Sequence, residues 1–280
     1  MDGRAGRVPA VPGPPNSGDS AVKHLTSRDN ALFKHLKALT TSTHQLRKAG
    51  QALLDGVHLA QAYLDAQGAP LQCVVSERHF DHAEVVPLLR RVPDERVVVL
   101  ADALFAQIAT VANGIDLMLV IDTPQGKLPA RVDTDCIILD GVQDAGNVGS
   151  ILRSAAAAGI PHAFLATGCA LAWSAKTLRA AMGANFHLNI VEHCTPELLL
   201  PRLAVPLLAT SSHADAELYD VDLRGPVAWV VGNEGAGVGP AWMAAVTRKV
   251  GIPQPGGLES LNVGAATAVC LFEAVRQRRG

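Results

Sequence analysis

Three segments in the second half of the chain join an apolar run to glycine, asparagine and a charged or hydroxyl side chain. They lie at residues 140–149, 232–237 and 252–262, and Arg153 follows the first of them. Glycine reaches positive φ and allows a ligand to approach the backbone closely, while an asparagine side chain offers both a donor and an acceptor. This composition is typical of a ligand site that is built largely from main-chain groups.

The third segment carries the most information. Pro253 and Pro255 cannot continue a central strand, and the glycine pair at 256–257 can adopt positive φ. Ser260 or Asn262 can then cap a following helix, which leaves its first backbone N–H groups facing the loop. The segment therefore predicts a strand, a ligand-facing loop and a helix in succession.

Each segment follows a short apolar run that predicts a buried strand, at residues 136–139, 227–231 and 249–252. In a parallel α/β sheet the loops at the carboxyl ends of the strands converge on the ligand. A tight turn explains each loop taken alone, but three such loops in one sheet predict a single pocket.

The rest of the chain alternates between predicted strands and helices, which indicates an α/β fold. In the second half the further strands are predicted at 162–166, 186–191 and 206–210, and helices at 149–158, 175–182, 196–203 and 261–276. In the first half strands are predicted at 52–56, 71–75, 97–100 and 114–122, and helices at 27–38, 43–48 and 57–66. Ser27 or Asp29 is the expected cap of the first helix.

Composition divides the chain into four parts. Residues 1–20 are rich in Gly, Pro and Ser and predict a disordered tail. Residues 21–122 form a small α/β domain, 123–134 a linker with two prolines, and 135–280 a second α/β domain.

The formal net charge of −2 does not indicate a nucleic-acid-binding protein, but residues 22–56 carry six basic and two acidic side chains. These bases are either solvated helix faces or a phosphate-binding patch, and the pattern leaves both open. The five cysteines and ten histidines lack metal-ligand spacing, so no metal site is expected. Scattered cysteines in apolar runs, no signal peptide and no membrane-spanning run predict a cytoplasmic protein.

The three segments resemble motifs 1, 2 and 3 of the SpoU/TrmH family of S-adenosylmethionine-dependent RNA 2′-O-ribose methyltransferases, within the SPOUT superfamily. The resemblance covers residues 135–278, and the first half of the chain resembles the small RNA-binding domain often fused to these enzymes. The matching residues are Asn147, Gly149 and Arg153 in motif 1, Gly232, Glu234 and Gly237 in motif 2, and Ile252, Pro253, Glu259, Ser260, Leu261, Asn262 and Val263 in motif 3.

Two positions depart from the family pattern. Ala145 stands where a proline is frequent, which should only loosen the turn. Gly264 replaces a frequent serine, and we expect this glycine to weaken a hydrogen bond at the helix start and to leave room near the cofactor.

The resemblance implies a parallel sheet whose C-terminal segment is tied into a trefoil knot, a feature that pattern reasoning alone would not propose. It implies that S-adenosylmethionine is bound in the knot by Gly232, Ile252 and Leu261, with Gly237 and Thr210 beside them. The alternative for Ile252 and Leu261 is that they are ordinary core residues.

The resemblance also implies a set of catalytic residues, namely Arg153, Asn147, Glu234, Ser260 and Asn262. Neutralising a guanidinium to make it a base is very costly because its pKa exceeds about 12. Binding the target phosphate as a cation is therefore the energetically more favourable role for Arg153. Glu234 could pair with Arg153, accept the proton or shape its loop, and Ser260 and the asparagines could serve as caps.

Ribosomal RNA is the expected substrate, because the first domain resembles those of rRNA-directed members. Transfer RNA and a non-catalytic RNA-binding or ribosome-assembly factor with the same fold are the alternatives. Arg28, Lys34 and Lys48 are the candidate RNA contacts. The resemblance implies a homodimer in which Arg153 of one subunit can face the cofactor of the other. The helix at 261–275 is either an interface or plain core.

Overall fold

The computed structural model describes residues 22–110, 114–211, 213–257 and 260–279. The predicted tail at 1–20 and motif residue Glu259 lie outside these ranges. Within them no helix is long and apolar enough to cross a bilayer. The same ranges hold no cluster of three His, Cys, Asp or Glu side chains suited to a metal ion.

The first sheet has five strands in the order β1-β4-β3-β5-β2. β5 runs antiparallel to β2 and β3, whereas the pairings of β4 with β1 and β3 are parallel. The strands are β1 Lys23–Leu25, β2 Gln51–Asp55, β3 Gln72–Ser76, β4 Val97–Leu100 and β5 Leu117–Asp122. The helices are α1 Ala31–Thr41, α2 Thr43–Ala49, α3 Val57–Ala66, α4 Val86–Leu89 and α5 Asp102–Phe105.

The second sheet has seven strands in the order β10-β12-β9-β11-β6-β7-β8, and every pairing is parallel. The predicted α/β class with a parallel sheet is therefore confirmed. The strands are β6 Cys136–Asp140, β7 His162–Leu165, β8 Asn189–Val191, β9 Leu207–Thr210, β10 Ala216–Glu217, β11 Ala228–Gly232 and β12 Arg248–Gly251. The helices are α6 Ala145–Ala157, α7 Ala175–Ala181, α8 Pro196–Leu199, α9 Pro240–Met243 and α10 Val263–Arg279.

Two predicted helix starts are wrong, and capping gives the reason. α1 begins after Asn30, whose side-chain oxygen accepts from the Leu32 N–H at 2.9 Å, and neither Ser27 nor Asp29 is the cap. α6 begins four residues before the predicted position, because the Asp144 carboxylate accepts from the Asn147 N–H at 2.9 Å. Most of motif 1 therefore lies on the first turns of a helix.

Two elements of the second half are also shorter than predicted. The strand predicted at 186–191 begins only at Asn189, because Ala184–His187 forms a 3-10 turn. The helix predicted at 196–203 ends at Leu199 and continues as the 3-10 turn Leu200–Arg202, where Pro201 has no N–H to donate. The short edge strands β1 and β10 were not predicted.

The strands that precede the three segments end at one edge of the second sheet. β12, β9, β11 and β6 are consecutive neighbours, and Gly232 lies opposite Asp140 while Val250 lies opposite Thr210. The loops that leave these strands therefore start side by side. α6 packs against both α7 and α10.

α7 also joins the two sheets. It packs against β2, and Arg179 on α7 donates from Nη1 to the carbonyl oxygen of Thr110 at 2.6 Å. The carboxylate of Asp55 accepts from both the N–H and the hydroxyl of Thr110. The position of the first sheet relative to α6 thus depends on this helix.

Candidate functional site

A cleft of about 480 Å³ lies at the carboxyl ends of β9, β11 and β12. It is bounded by the strand ends, the two glycine-containing loops and the start of α10. The lining residues are Thr210, Ser211, Asn233, Glu234, Gly235, Gly237, Val250, Gly251, Ile252, Gln254, Ser260, Leu261 and Ala266. Motifs 2 and 3 thus share one cavity, whereas no residue of motif 1 is among its described lining residues.

The motif 2 loop is a rigid turn. The backbone of Asn233 exchanges two hydrogen bonds with that of Gly237, at 3.0 and 2.9 Å. The Asn233 side chain accepts from the N–H groups of Gly235 and Ala236 and donates to the carbonyl oxygen of Gly141 at 2.9 Å. One asparagine therefore closes the loop and fastens it to the end of β6.

Both motif 2 glycines are required by geometry. A Cβ on Gly232 would overlap the backbone of Gly237 and Val238, because the loop folds back over the end of β11. Gly237 has a φ of 70°, which side chains rarely adopt. Gly232 lies behind the loop, so it shapes the cleft, whereas Gly237 contributes directly to its wall.

A directed chain of hydrogen bonds joins all three motifs at the mouth of the cleft. The Asn262 amide donates to Oδ1 of Asn147 at 2.9 Å, and the Asn147 amide donates to Oε1 of Glu234 at 2.8 Å. Oδ1 of Asn262 accepts from the N–H groups of Gly264 and Ala265 and so caps α10. Each amide is oriented by its partners, and the series ends on a carboxylate.

Glu234 accepts the last hydrogen bond of this series and does not pair with Arg153. Partial burial acts to raise the pKa of Glu234, but hydrogen bonds from the Asn147 amide and from backbone N–H groups outweigh it, so its pKa lies below the ordinary value. The carboxylate is therefore ionised at neutral pH. In the described part of the chain no ion pair joins Glu234 to Arg153.

Arg153 lies away from the cleft of its own chain. It is six positions beyond Asn147 on α6, which places it about 9 Å further along the axis and about 120° around it. It lines a separate hollow together with Ala62, Met182 and His187. The structure therefore brings together Asn147, Glu234, Ser260 and Asn262 but not the arginine.

The remaining predicted residues divide into two groups. Thr210, Ile252 and Leu261 line the cleft, and Leu261 is 38% exposed rather than a core residue. The predicted RNA contacts lie on the first sheet's helices and the turn before them. There Arg28 and Lys48 are exposed, and Lys34 forms an exposed ion pair with Asp29 at 3.2 Å.

Sequence reasoning missed Gln254, Asn233 and Asp144. Gln254 lines the cleft, and its buried Oε1 accepts no hydrogen bond from the protein. Such an atom is costly unless a ligand or water satisfies it. The available signal for Gln254 was its position in the ligand-facing loop, two residues after the predicted strand at 249–252. The signal for Asp144 was its N-cap spacing to Asn147.

The expectation about Gly264 is wrong. A Cβ on Gly264 would overlap the hydroxyl of Ser150 on α6, so the space is filled by this neighbour and does not open toward the cleft. The helix start is also well satisfied, because the Gly264 N–H donates to Asn262 at 2.9 Å. The glycine serves the packing of α10 on α6.

Known methyltransferases are similar to this protein over most of its length. The SpoU rRNA Methylase family matches residues 135–272. A tRNA/rRNA methyltransferase of Synechocystis sp., itself described as uncharacterized, is 31% identical over 92% of this chain and 96% of its own length. The 23S rRNA (uridine(2479)-2′-O)-methyltransferase of Streptomyces viridochromogenes is 29% identical over 92% of this chain and 93% of its own.

A solved structure agrees in fold. The SpoU methyltransferase AviRb from Streptomyces viridochromogenes, in complex with the cofactor AdoMet, superposes with a TM-score of 0.82 at 27% identity. The alignment covers 90% of this chain and 99% of that one. Both halves of the chain thus have counterparts in a single known protein.

The contact between Gly264 and Ser150 can be tested by a double-mutant cycle. We expect Gly264→Ser to lower the free energy of unfolding by about 1–3 kcal/mol, because the added atoms overlap the Ser150 hydroxyl. Adding Ser150→Ala removes that hydroxyl and should recover most of the loss, and chemical denaturation of the four proteins measures both effects. Additive effects of the two substitutions would contradict the assignment.

Proposed function

The chain belongs to the SpoU rRNA methylase family, and from this premise we propose that it transfers a methyl group from S-adenosylmethionine to a ribose 2′-hydroxyl of ribosomal RNA. The observation that carries the proposal is the hydrogen-bond chain from Asn262 through Asn147 to Glu234 at the mouth of the cleft. It joins the three motifs and orients polar groups toward the space where a ribose would enter.

The residues of the cleft fit the cofactor. The buried Oε1 of Gln254 offers an acceptor that no protein group uses, and the loop around Gly237 presents backbone to the cavity. The cleft volume of about 480 Å³ is within the range of roughly 300–1,000 Å³ usual for small-ligand sites. We assign Thr210, Ile252, Gln254 and Leu261 to holding the cofactor, with Gly232 and Gly237 shaping the wall.

When bound, S-adenosylmethionine supplies a methyl group on a sulfonium, which an oxygen nucleophile attacks in line. The contribution of this chain is to aim the ribose hydroxyl and to hold it there. Asn147 and Asn262 each keep fixed amide atoms at the entrance, and exposed Ser260 lies beside them. Glu234 is a weak base because its pKa is lowered, so we assign it to orienting Asn147, and the proton of the hydroxyl passes to solvent water as the ether bond forms.

Arg153 requires a second subunit in this proposal. It lies outside its own cleft, beside Met182, which is 51% exposed. Phe272 on α10 is also 47% exposed, and exposed apolar side chains of this size favour a protein interface. We propose a homodimer in which Arg153 grips the phosphate of RNA that is bound at the partner subunit's cleft, and the predicted knot would lie at this interface.

The reaction can be tested with 23S rRNA transcribed in vitro, which carries no modification. We expect the wild-type protein to transfer labelled methyl to one ribose 2′-hydroxyl. Asn262→Asp keeps the oxygen that caps α10 but loses the donor to Asn147, so kcat should fall about 10- to 100-fold while the melting temperature is retained. The rate of methyl transfer at saturating rRNA and cofactor measures kcat, circular dichroism measures the melting temperature, and mapping of the methylated nucleotide identifies the site.

Methylation of transfer RNA but not of 23S rRNA would change the substrate class, and full activity of Asn262→Asp would remove the hydrogen-bond chain from the mechanism. Binding of rRNA without any transfer would favour an assembly factor.

The role of Arg153 across the dimer is tested by mixing two variants of strongly reduced activity, Arg153→Ala and Asn262→Asp. Each mixed dimer should contain one cleft with an intact Asn262 and an intact arginine from the other subunit. Random exchange in a two-fold dimer would then restore about a quarter of the wild-type sites. Mixing without exchange is the control, and no recovery after verified exchange would place the arginine's role within one chain.

Gln254→Met separates cofactor binding from folding. The substitution removes a buried acceptor without a protein partner and keeps a similar volume, so the unliganded protein should be as stable as the wild type or more stable. The rise in melting temperature produced by S-adenosylmethionine should shrink because the cofactor loses that acceptor. An unchanged rise would show that Gln254 does not contact it.

A further inference from the structure

A second groove opens between the two sheets, next to the cleft but separate from it. Its volume is about 330 Å³, and its walls are the end of α1, the start of α2, the Thr110 loop and the start of α7. The lining residues are Leu39, Thr40, Thr41, Ser42, Leu46, Leu53, Thr110, Ser174, Ala175, Lys176 and Arg179. Hydroxyl-bearing and apolar side chains both contribute to this lining.

The charged residues that line this groove are both cationic. Arg179 is partly buried and holds the wall together through its hydrogen bond to the Thr110 carbonyl at 2.6 Å. Lys176 is 62% exposed, and none of the described lining residues is acidic. Two carboxylates contact the lining from outside it, Asp144 at Lys176 and Asp55 at Thr110.

Lys176 has a partner that it can exchange. Its Nζ lies 2.7 Å from Oδ2 of Asp144, whose side chain is 48% exposed. An ion pair with this much solvent exposure contributes little to stability, so the ammonium can leave the carboxylate for a phosphate without a large cost. The other oxygen of Asp144 accepts the Asn147 N–H at 2.9 Å and keeps α6 capped in either case.

A series of polar contacts connects the groove to the mouth of the cleft. Lys176 contacts Asp144, Asp144 caps the turn that carries Asn147, and Asn147 donates to Glu234. A polynucleotide whose reacting ribose lies at Asn147 therefore has neighbouring nucleotides within reach of Lys176. A chain of phosphates is the ligand that fits a groove with cations at its mouth.

We propose that this groove is the subsite for the RNA strand beside the methylated nucleotide, and that Lys176 contacts a phosphate of that strand. The inference rests on the proposed function and extends its substrate site onto α7. It differs from the sequence prediction, because Arg28, Lys34 and Lys48 do not line the groove.

The test compares Lys176→Ala with Lys23→Ala, a matched control. Lys23 is an exposed lysine on β1, at the edge of the first sheet opposite to β2 and therefore remote from α7. We expect Lys176→Ala to raise the Kd for unmodified 23S rRNA about 5- to 20-fold. The slope of log affinity against log salt should fall by about 0.7, as for one single-stranded phosphate contact.

Kinetics distinguish a substrate contact from damage to the site. The KM for rRNA should rise with its Kd, whereas kcat at saturating rRNA should stay within about twofold, because binding and not chemistry is affected. The affinity for S-adenosylmethionine, measured calorimetrically, should not change.

Asp144→Asn provides the opposite prediction. Asparagine is an equally good N-cap, so α6 is retained, but the competitor for Lys176 loses its charge. RNA affinity should then rise about 2- to 5-fold. A purely structural ion pair predicts no increase.

The inference is overturned if Lys176→Ala binds rRNA like the wild type, if Lys23→Ala loses as much affinity, or if Asp144→Asn binds more weakly. In each case methyl transfer by the wild-type protein would leave the proposed function standing. A wild-type protein that neither binds nor methylates rRNA would overturn both.

Discussion

The close approach of α6 to two other helices is the constraint on which the site depends. A Cβ on Gly149 would lie 2.5 Å from both the Ala180 side chain and the Thr177 carbonyl oxygen. A Cβ on Gly264 would overlap Ser150. Because a Cβ at 149 would overlap backbone atoms of α7, only glycine permits α7 to pack on α6 at this distance, and glycine at 264 leaves room for the Ser150 hydroxyl between α6 and α10. Asn262 reaches Asn147, and Lys176 reaches Asp144, because these three helices are held together.

Gly264 is a position at which the family resemblance alone leads to a wrong prediction. Because glycine replaces a frequent serine there, we expected an open space near the cofactor. In the structure the hydroxyl of Ser150 lies beside Gly264, so the missing side chain leaves no open space there.

Much of the second sheet could be predicted from the sequence, because its buried strands are uninterrupted apolar runs bounded by glycine and proline. β6, β11 and β12 begin and end within one residue of their predicted positions. Helix starts were harder to predict from the sequence, because several neighbouring polar residues can serve as the cap. Only the folded backbone selects Asn30 and Asp144 among them.

The residues that line the cleft could be predicted in part, but the position of Arg153 outside the cleft of its own chain could not. Thr210, Ile252 and Leu261 lie at strand ends or in loops, where pattern and resemblance agree. The direction of a side chain on α6 depends on where that helix begins. The helix begins four residues earlier than predicted, so its first turns include most of motif 1. Sequence spacing alone could not show that Asn147 and Arg153 face different surroundings.

Charge separates the two parts of the site. Glu234 is the one charged side chain among the described residues that line the cleft, and its lowered pKa keeps it anionic. The two charged residues among the described lining of the adjoining groove, Lys176 and Arg179, are cations. An anionic cleft attracts a sulfonium and opposes a phosphate, and a cationic groove does the reverse. In the proposed function each ligand would therefore be disfavoured in the other's place, and the neutral ribose would lie between them at Asn147.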